Sequence, residues 1–264
     1  RRCRHGGAPA RRCRERPALT LRGLLFQPAF VLWTTLMALF LAPVAPFVGG
    51  AGIRWWARRW EAGILVLLRV ICGIRLDMRG TPPQEPSLLA SKHQSALETV
   101  VFHRLVHDIA VPLKVELTRI PLFGRYLLKS GCIGVERDAG TRAMRALMHA
   151  SRQRLDEGLS LLIFPEGTRV APGERKPYRP GIAALYLQLG RPVVPVALHT
   201  GHVWGKGIFA KHPGTAVIAF LEPIPPGLDR RTFTARLEER IETASAELAG
   251  VQPSLVSDEL GVTP

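Results

Sequence analysis

From Gly23 to Ile53 the chain carries no charged residue: GLLFQPAFVLWTTLMALFLAPVAPFVGGAGI. No other feature constrains the fold as much. A bilayer-crossing helix needs roughly 20 apolar residues, so this run is long enough. Pro28, Pro43 and Pro46 interrupt it, and arginines flank it on both sides: Arg22 before, then Arg54, Arg58 and Arg59 after. Positive charge at both ends gives no inside–outside asymmetry. A full span, a helical hairpin entering one leaflet, an interfacial helix, a signal peptide and a buried soluble helix all fit. The next stretch, IRWWARRW, sets Trp55, Trp56 and Trp60 among arginines, as an interfacial anchor would. Residues 23–74 are therefore read as a membrane-associated helical region.

Residues 1–22 hold eight arginines against one glutamate and show no hydrophobic periodicity; a disordered basic tail is expected there, and a flexible tail over 251–264. The formal net charge of +15 points to anionic partners, whether nucleic acid, anionic lipid or a phosphorylated substrate. Cys3, Cys13, Cys72 and Cys132 form no CxxC pair, which argues against a zinc ribbon or a disulfide framework.

Beyond the apolar region, short apolar runs alternate with helical patterns. The spacing predicts strands over 74–78, 87–90, 109–114, 132–136, 159–164, 193–199 and 215–221. It predicts helices over 141–157, 178–189 and 232–248. Pro-Gly punctuation falls between these elements, at Pro172-Gly173 and Pro180-Gly181 for example. Alternation of this kind implies an α/β fold, a central mostly parallel sheet flanked by helices, over residues 75–250. In such folds the chemistry gathers in loops at strand ends.

Three loops stand out. In SKHQSALETV, His93 follows a strand and precedes a helix, with Glu98 five positions on. A neutral imidazole there can take a proton from a hydroxyl, and a carboxylate can hold its other ring nitrogen. Ser95-Ala-Leu-Glu98 also fits the S-x-x-E capping box, so Glu98 can equally serve as a helix cap. The chain has no G-x-S-x-G, so a base at His93 would activate a substrate hydroxyl, not an enzyme serine. In FPEGTR, proline ends a strand, Gly167 lets backbone approach a ligand, and Arg169 can grip a phosphate through two parallel hydrogen bonds. In GCIGVERDAG, Arg137 precedes a helix start, where an anion is favoured, although a plain Arg137–Asp138 surface pair fits too.

In order, KHQSALET, KVELTRIPLFG, GCIGVERDAG, FPEGTR and VVPVAL resemble the motifs of the glycerolipid acyltransferase family. The resemblance implies His93 and Glu98 as the catalytic pair, with glutamate where aspartate is usual. It implies substrate binding by Lys114, Arg137, Glu166, Gly167, Thr168 and Arg169, with Arg137 and Arg169 on a phosphate and Glu166 and Gly167 shaping the site. Val194-Pro195-Val196 would form a wall. The implied reaction moves a fatty acyl group from acyl-CoA or an acyl carrier protein thioester to the sn-2 hydroxyl of 1-acyl-sn-glycerol-3-phosphate, giving phosphatidic acid. The implied partners are membrane lipid and the acyl donor, with no metal or other cofactor. The implied location is the cytoplasmic face of the cell inner membrane, through N-terminal docking helices.

Two rivals stay open: an acyltransferase for another lysolipid, such as lyso-ornithine lipid, and a non-catalytic membrane lipid-binding protein. A nucleic-acid partner would use the basic charge but leaves the apolar run and the ordered motifs without a role. His103 and His107 lack the glutamate of H-E-x-x-H, since Arg104 stands there. His199 and His202 read as polar loop residues.

Overall fold

A computed structural model of the chain describes residues 19–136 and 140–250. Arg137 and the two tails lie outside the described residues.

Helix α1 (Leu21–Leu41) is capped by Thr20, whose Oγ1 accepts the Gly23 N–H at 3.0 Å. It runs through Pro28, expected from the sequence to interrupt it, and ends at Leu41, with Ala42 still in helical geometry ahead of Pro43, which has no N–H to continue the ladder. At 1.5 Å per residue α1 spans about 31 Å, which matches a bilayer's hydrocarbon core. Helix α2 (Gly50–Leu67) returns antiparallel to it, extends through a π-turn at Leu68–Cys72 and ends at left-handed Gly73.

The tryptophans hold this hairpin together. Trp33 Nε1 donates to the Trp60 carbonyl (2.9 Å), Trp60 Nε1 to Thr34 Oγ1 (3.1 Å) and Trp56 Nε1 to the Met37 carbonyl (3.1 Å). Trp56 and Trp60 thus spend their polar edges on α1. Trp55 alone of that group is exposed, with the Arg59 guanidinium 5.0 Å from its ring centre. Gly63 leaves room for the Trp33 indole, which a Cβ would meet at 2.2 Å.

The main sheet contains β1 (Ile74–Arg79), β2 (Leu88–Ser91), β3 (Ile109–Ala110), β6 (Ser160–Ile163), β7 (Val193–His199) and β8 (Gly214–Phe220), in the order β1-β8-β7-β2-β6-β3. Every pairing is parallel except β7 with β8. β4 (Pro112–Lys114) and β5 (Ile133–Val135) form a separate parallel pair. The single strand expected over 109–114 is therefore two. Pro112 has no N–H to give a ladder, and it opens β4 where the chain leaves the main sheet edge.

Both faces of the inner strands β2, β6 and β7 are buried, so these are apolar runs with alternating destinations, whereas edge strand β1 leaves Arg75 exposed. Leu89, Leu162 and Val194 face Phe26, Ile64 and Leu68 of the α1–α2 hairpin. Leu88, Ala90 and Leu161 face the opposite layer, formed by α5 (Gly140–Asp156), α6 (Pro180–Leu189) and α7 (Arg230–Gly250). Between β2 and β5, the chain forms a short α3 (Phe102–Leu105) and α4 (Phe123–Ser130). Because β2, β6 and β7 run parallel, their C-terminal ends meet at one edge. His93, Phe164–Arg169 and Thr200 all follow directly from those ends.

Candidate active site

His93 Nδ1 lies 2.8 Å from Glu98 Oε2. A carboxylate only accepts, so Nδ1 carries the proton and Nε2 presents its lone pair. Among the described residues nothing hydrogen-bonds Nε2. The imidazole is partly exposed, and its ring stacks on Phe164 at 4.1 Å and 22°. Glu98 is fully buried and serves three residues. It accepts the Ser95 N–H through both oxygens (3.0 and 2.9 Å), the Ser95 hydroxyl (2.9 Å) and the Thr200 hydroxyl. Ser95 Oγ in turn accepts the Leu97 N–H at 3.0 Å. Glu98 thus makes both the contact back to Ser95 and the contact to His93. Glu98 opens the 3-10 turn Glu98–Val100, reaches back to the Ser95 N–H and, with the same carboxylate, fixes the tautomer of His93.

The loop after β6 is tied to this segment from below. The His93 N–H donates to Glu166 Oε2 (2.8 Å), and the Val170 N–H to the His93 carbonyl (2.8 Å). Glu166 Oε1 receives Lys92 Nζ at 3.1 Å, and Lys92 Nζ also reaches Glu242 Oε1 of α7 at 2.6 Å. Glu242 accepts the Tyr178 hydroxyl at 3.2 Å, with Arg175 3.7 Å away at the rim. Lys92, Glu166 and Glu242 are all nearly fully buried. Burial raises the Glu166 pKa, with the Lys92 charge opposing it. Burial and the neighbouring carboxylates also push the Tyr178 phenol well up, keeping it a neutral donor. Gly167 turns the loop at φ +66°, in the left-handed region, and a Cβ there would meet the Arg179 side chain at 2.4 Å.

Of the other residues singled out from the sequence, Thr168 and Arg169 are exposed on the same loop and Lys114 is exposed at the end of β4. Pro195, in the middle of β7, pairs with Ala90 of β2, so Val194-Pro195-Val196 builds the strand beside the one that carries His93. Glu166 has its carboxylate under the His93 backbone, both oxygens occupied. Arg137 lies outside the described residues.

Sequence reading missed Lys92, Gln94, Thr200, Tyr178 and Glu242. The Gln94 carbonyl oxygen accepts the Thr200 (2.9 Å) and Gly201 (3.1 Å) N–H groups, which ties the loop after β7 to the His93 segment. A local sign existed only for Glu242, a charge beside Ile241 on the buried face of α7. The HRLVH pair diverges. His103 bonds buried Glu61 at 2.9 Å, whereas His107 is exposed beside Asp108.

The model of the family described as Acyltransferase matches residues 75–199. A 1-acyl-sn-glycerol-3-phosphate acyltransferase from Pseudomonas aeruginosa is 34% identical over 233 residues, covering 87% of this chain and 89% of that protein. A protein of the same name from Limnanthes alba is 30% identical over 156 residues, 58% of this chain and 55% of the plant protein. The crystal structure of the 1-acyl-sn-glycerophosphate acyltransferase PlsC from Thermotoga maritima superposes with a TM-score of 0.74, covering 89% of this chain and 99% of that one. At 20% identity, that match speaks for the fold. The curled mixed sheet, the N-terminal hairpin and the long alignment agree: this chain belongs to the acyltransferase family.

Proposed function

We propose that the enzyme transfers a fatty acyl group from an acyl-CoA or acyl carrier protein thioester to the sn-2 hydroxyl of 1-acyl-sn-glycerol-3-phosphate, giving phosphatidic acid. The observation that carries this reading is the His93–Glu98 pair, with its unpartnered Nε2 next to the FPEGTR loop. The names of the relatives in Pseudomonas and Limnanthes support the choice of acceptor.

In this mechanism His93 Nε2 takes the hydroxyl proton as the oxygen attacks the thioester carbonyl carbon. Glu98 accepts the Nδ1–H hydrogen bond throughout, stays ionised and stabilises the imidazolium that forms. The tetrahedral intermediate then collapses, the carbon–sulfur bond breaks, and the imidazolium proton goes to the departing thiolate. Lys114, Arg169 and Arg137 clamp the acceptor's phosphate and so place its hydroxyl, with Thr168 and the Gly167 turn completing the substrate loop. Positioning of this kind can supply several kcal/mol of the barrier reduction, on the order of 7–11 in the best-oriented cases. No cofactor enters the reaction as written.

The α1–α2 hairpin brings the site to the lipid. Leu25, Val31, Leu32, Leu39 and Phe40 of α1 are exposed, and on α2 Arg59 is exposed while Arg54 and Arg58 turn to Asp108. An apolar surface with Trp55 and Arg59 exposed on the partner helix suits a lipid leaflet, which we place at the cytoplasmic face of the inner membrane.

The test is purified protein with a labelled acyl thioester and a panel of acceptors. Labelled phosphatidic acid formed from 1-acyl-sn-glycerol-3-phosphate is the expected result. Product only with lyso-ornithine lipid would move the assignment to another lysolipid. No product with any acceptor would leave a lipid-binding module.

A further inference from the structure

Thr200 has no role in the chemistry above, yet its side chain ends on the carboxylate of Glu98. It is the first residue after β7, and strand register decides what it meets. Ser91 of β2 pairs with Val196 of β7, and the Lys92 N–H donates to the Val196 carbonyl at 3.1 Å. β2 stops at Ser91, whereas β7 runs on to His199. The end of β7 therefore overhangs the segment that carries His93 and Glu98. Thr200 is fully buried, and its hydroxyl crosses 102 positions of chain to donate to Glu98 Oε1.

Other bonds hold Thr200 in place. Gln94 Oε1 accepts its N–H at 2.9 Å and that of Gly201 at 3.1 Å. Its carbonyl accepts the Val203 and Trp204 N–H groups, both at 3.1 Å. The Trp204 ring meets Phe26 of α1 edge-on at 5.6 Å. Both backbone polar groups of Thr200 are thus occupied, and the hydroxyl serves Glu98.

A glutamate needs such an anchor. Its terminal torsion is broad and roughly two-fold, so the side chain alone does not fix the plane of the carboxylate. An ionised carboxylate offers about four acceptor positions. Four groups fill them here: the His93 Nδ1–H, the Ser95 N–H, the Ser95 hydroxyl and the Thr200 hydroxyl. Among the described residues, Thr200 is the one donor that comes from outside the His93–Glu98 segment. It ties Oε1 to the end of a sheet strand, which leaves Oε2 aimed at Nδ1. Bonds to an ionised oxygen are roughly twice as strong as neutral ones, so this one can hold the plane.

We propose that Thr200 is a positioning residue for the His93–Glu98 pair. Its hydroxyl keeps the carboxylate oriented so that the proton stays on Nδ1 and the Nε2 lone pair faces the substrate hydroxyl. This rests on the acyl-transfer reading above, and Thr200 acts through Glu98 without touching either substrate.

The experiment compares the full chain in detergent micelles with Thr200→Val, which keeps the shape and removes the hydroxyl, and Thr200→Ser, which keeps the hydroxyl. Steady-state kinetics use 1-acyl-sn-glycerol-3-phosphate with whichever hexadecanoyl donor, CoA or carrier-bound, turns over faster. Proton NMR of protein with isotope-labelled histidine follows the low-field His93 Nδ1–H signal. Thr200→Val should lower kcat by roughly 10–100-fold, the loss expected on removing a bond to a charged group. The acceptor KM should change by less than about twofold, and Thr200→Ser should keep kcat within about threefold of wild type. The Nδ1–H signal should shift or be lost to exchange in Thr200→Val and persist in Thr200→Ser. Equal losses in the two variants would overturn the proposal, because packing and not the hydroxyl would then matter. So would a raised acceptor KM at unchanged kcat, a wild-type kcat in Thr200→Val, or an unaltered Nδ1–H signal there. If Thr200→Val does not fold, Thr200→Ala, which leaves space for a water, carries the same comparison with the same outcomes. Absence of wild-type product with every donor and acceptor, alongside the expected NMR change, would instead overturn the acyl-transfer reading and leave Thr200 holding the pair.

Discussion

Lys92 Nζ lies 2.6 Å from Glu242 Oε1, so the residue just before His93 is fastened to the C-terminal helix across 150 positions of chain. The same ammonium holds Glu166, and Glu166 holds the His93 N–H. The imidazole thus stands on a buried lattice of charges contributed by β2, the β6 loop and α7. Such a lattice is costly to break from one side, because removing one partner leaves uncompensated charge in the interior.

Lys92→Met is expected to lower the stability of the fold by about 3–5 kcal/mol, since it strands two carboxylates. Lys92→Met/Glu166→Gln/Glu242→Gln, which removes all three charges, should recover part of that loss. Urea unfolding of the detergent-solubilised proteins gives both values, and equal stability of wild type and the single variant would contradict the role assigned to Lys92.

His93→Ala and Arg169→Ala should separate chemistry from binding. General-base loss costs roughly 10²–10⁴-fold, so the first variant should lose at least that much kcat while still retaining the acceptor. The second should act mainly through the KM for the phosphate-bearing acceptor. Steady-state kinetics on 1-acyl-sn-glycerol-3-phosphate decides, and small, matching effects from both would count against the roles.

Glu98→Gln keeps the size of a side chain that accepts only, yet adds an NH₂ that faces donors. The Ser95 N–H cannot reverse, and the His93 ring can accept from the new NH₂ only by moving its proton to Nε2, which removes the lone pair the base needs. Activity should fall by about 10²–10⁴-fold, with stability lost as well because Glu98 also holds the Ser95 N–H. A variant with full stability and low activity would mean that the contact to Ser95 had been overestimated.

Membrane attachment should depend on the outer face of α1. Leu25, Leu32 and Phe40 are exposed, and burying one such side chain contributes about 1.5–3 kcal/mol. Leu25→Ser/Leu32→Ser/Phe40→Ser should therefore reduce cosedimentation with anionic vesicles by at least about 100-fold, with the sheet intact. Unchanged partitioning would remove α1 as the docking element.

Lys211 predicts a pH signature. Its ammonium is buried against the Trp204 ring at 4.1 Å and donates to the Ile208 carbonyl at 2.7 Å. Burial pushes its pKa down to about 8, with the Cys72 thiol pulling the other way. An unfolded lysine keeps its proton to about 10.4, so between pH 8 and 9 the unfolded chain binds more protons than the folded one. Stability from this group must then rise with pH, by up to about 1.4 kcal/mol per unit. Urea unfolding at pH 8 and 9 should show this rise in wild type relative to Lys211→Met. A difference that is flat or falling would refute it.

Local pattern carried far in this chain. Apolar runs located the strands to within a residue or two: β2, β6 and β7 are buried on both faces, and β1 alternates apolar with charged residues. The uncharged run announced α1, and S-x-x-E with His93 announced both the turn and the dyad, because all the atoms involved lie within six residues. Proline at 112 was the visible reason why 109–114 had to break, although the length of the apolar run hid it.

What the amino-acid order determined by itself was therefore whatever rests on near neighbours: element type, the apolar hairpin, the His93–Glu98 pair and the motifs that mark the family. Tertiary structure alone decided what depends on distant pairs: the antiparallel placement of β8, the turning of Trp56 and Trp60 inward to α1, the Thr200 hydroxyl on Glu98, and the choice of Lys92 and Glu242 as buried partners. The physical reason is that a charge tolerates burial only where an opposite charge meets it, and that meeting is fixed by how helices and strands pack, not by any spacing along the chain.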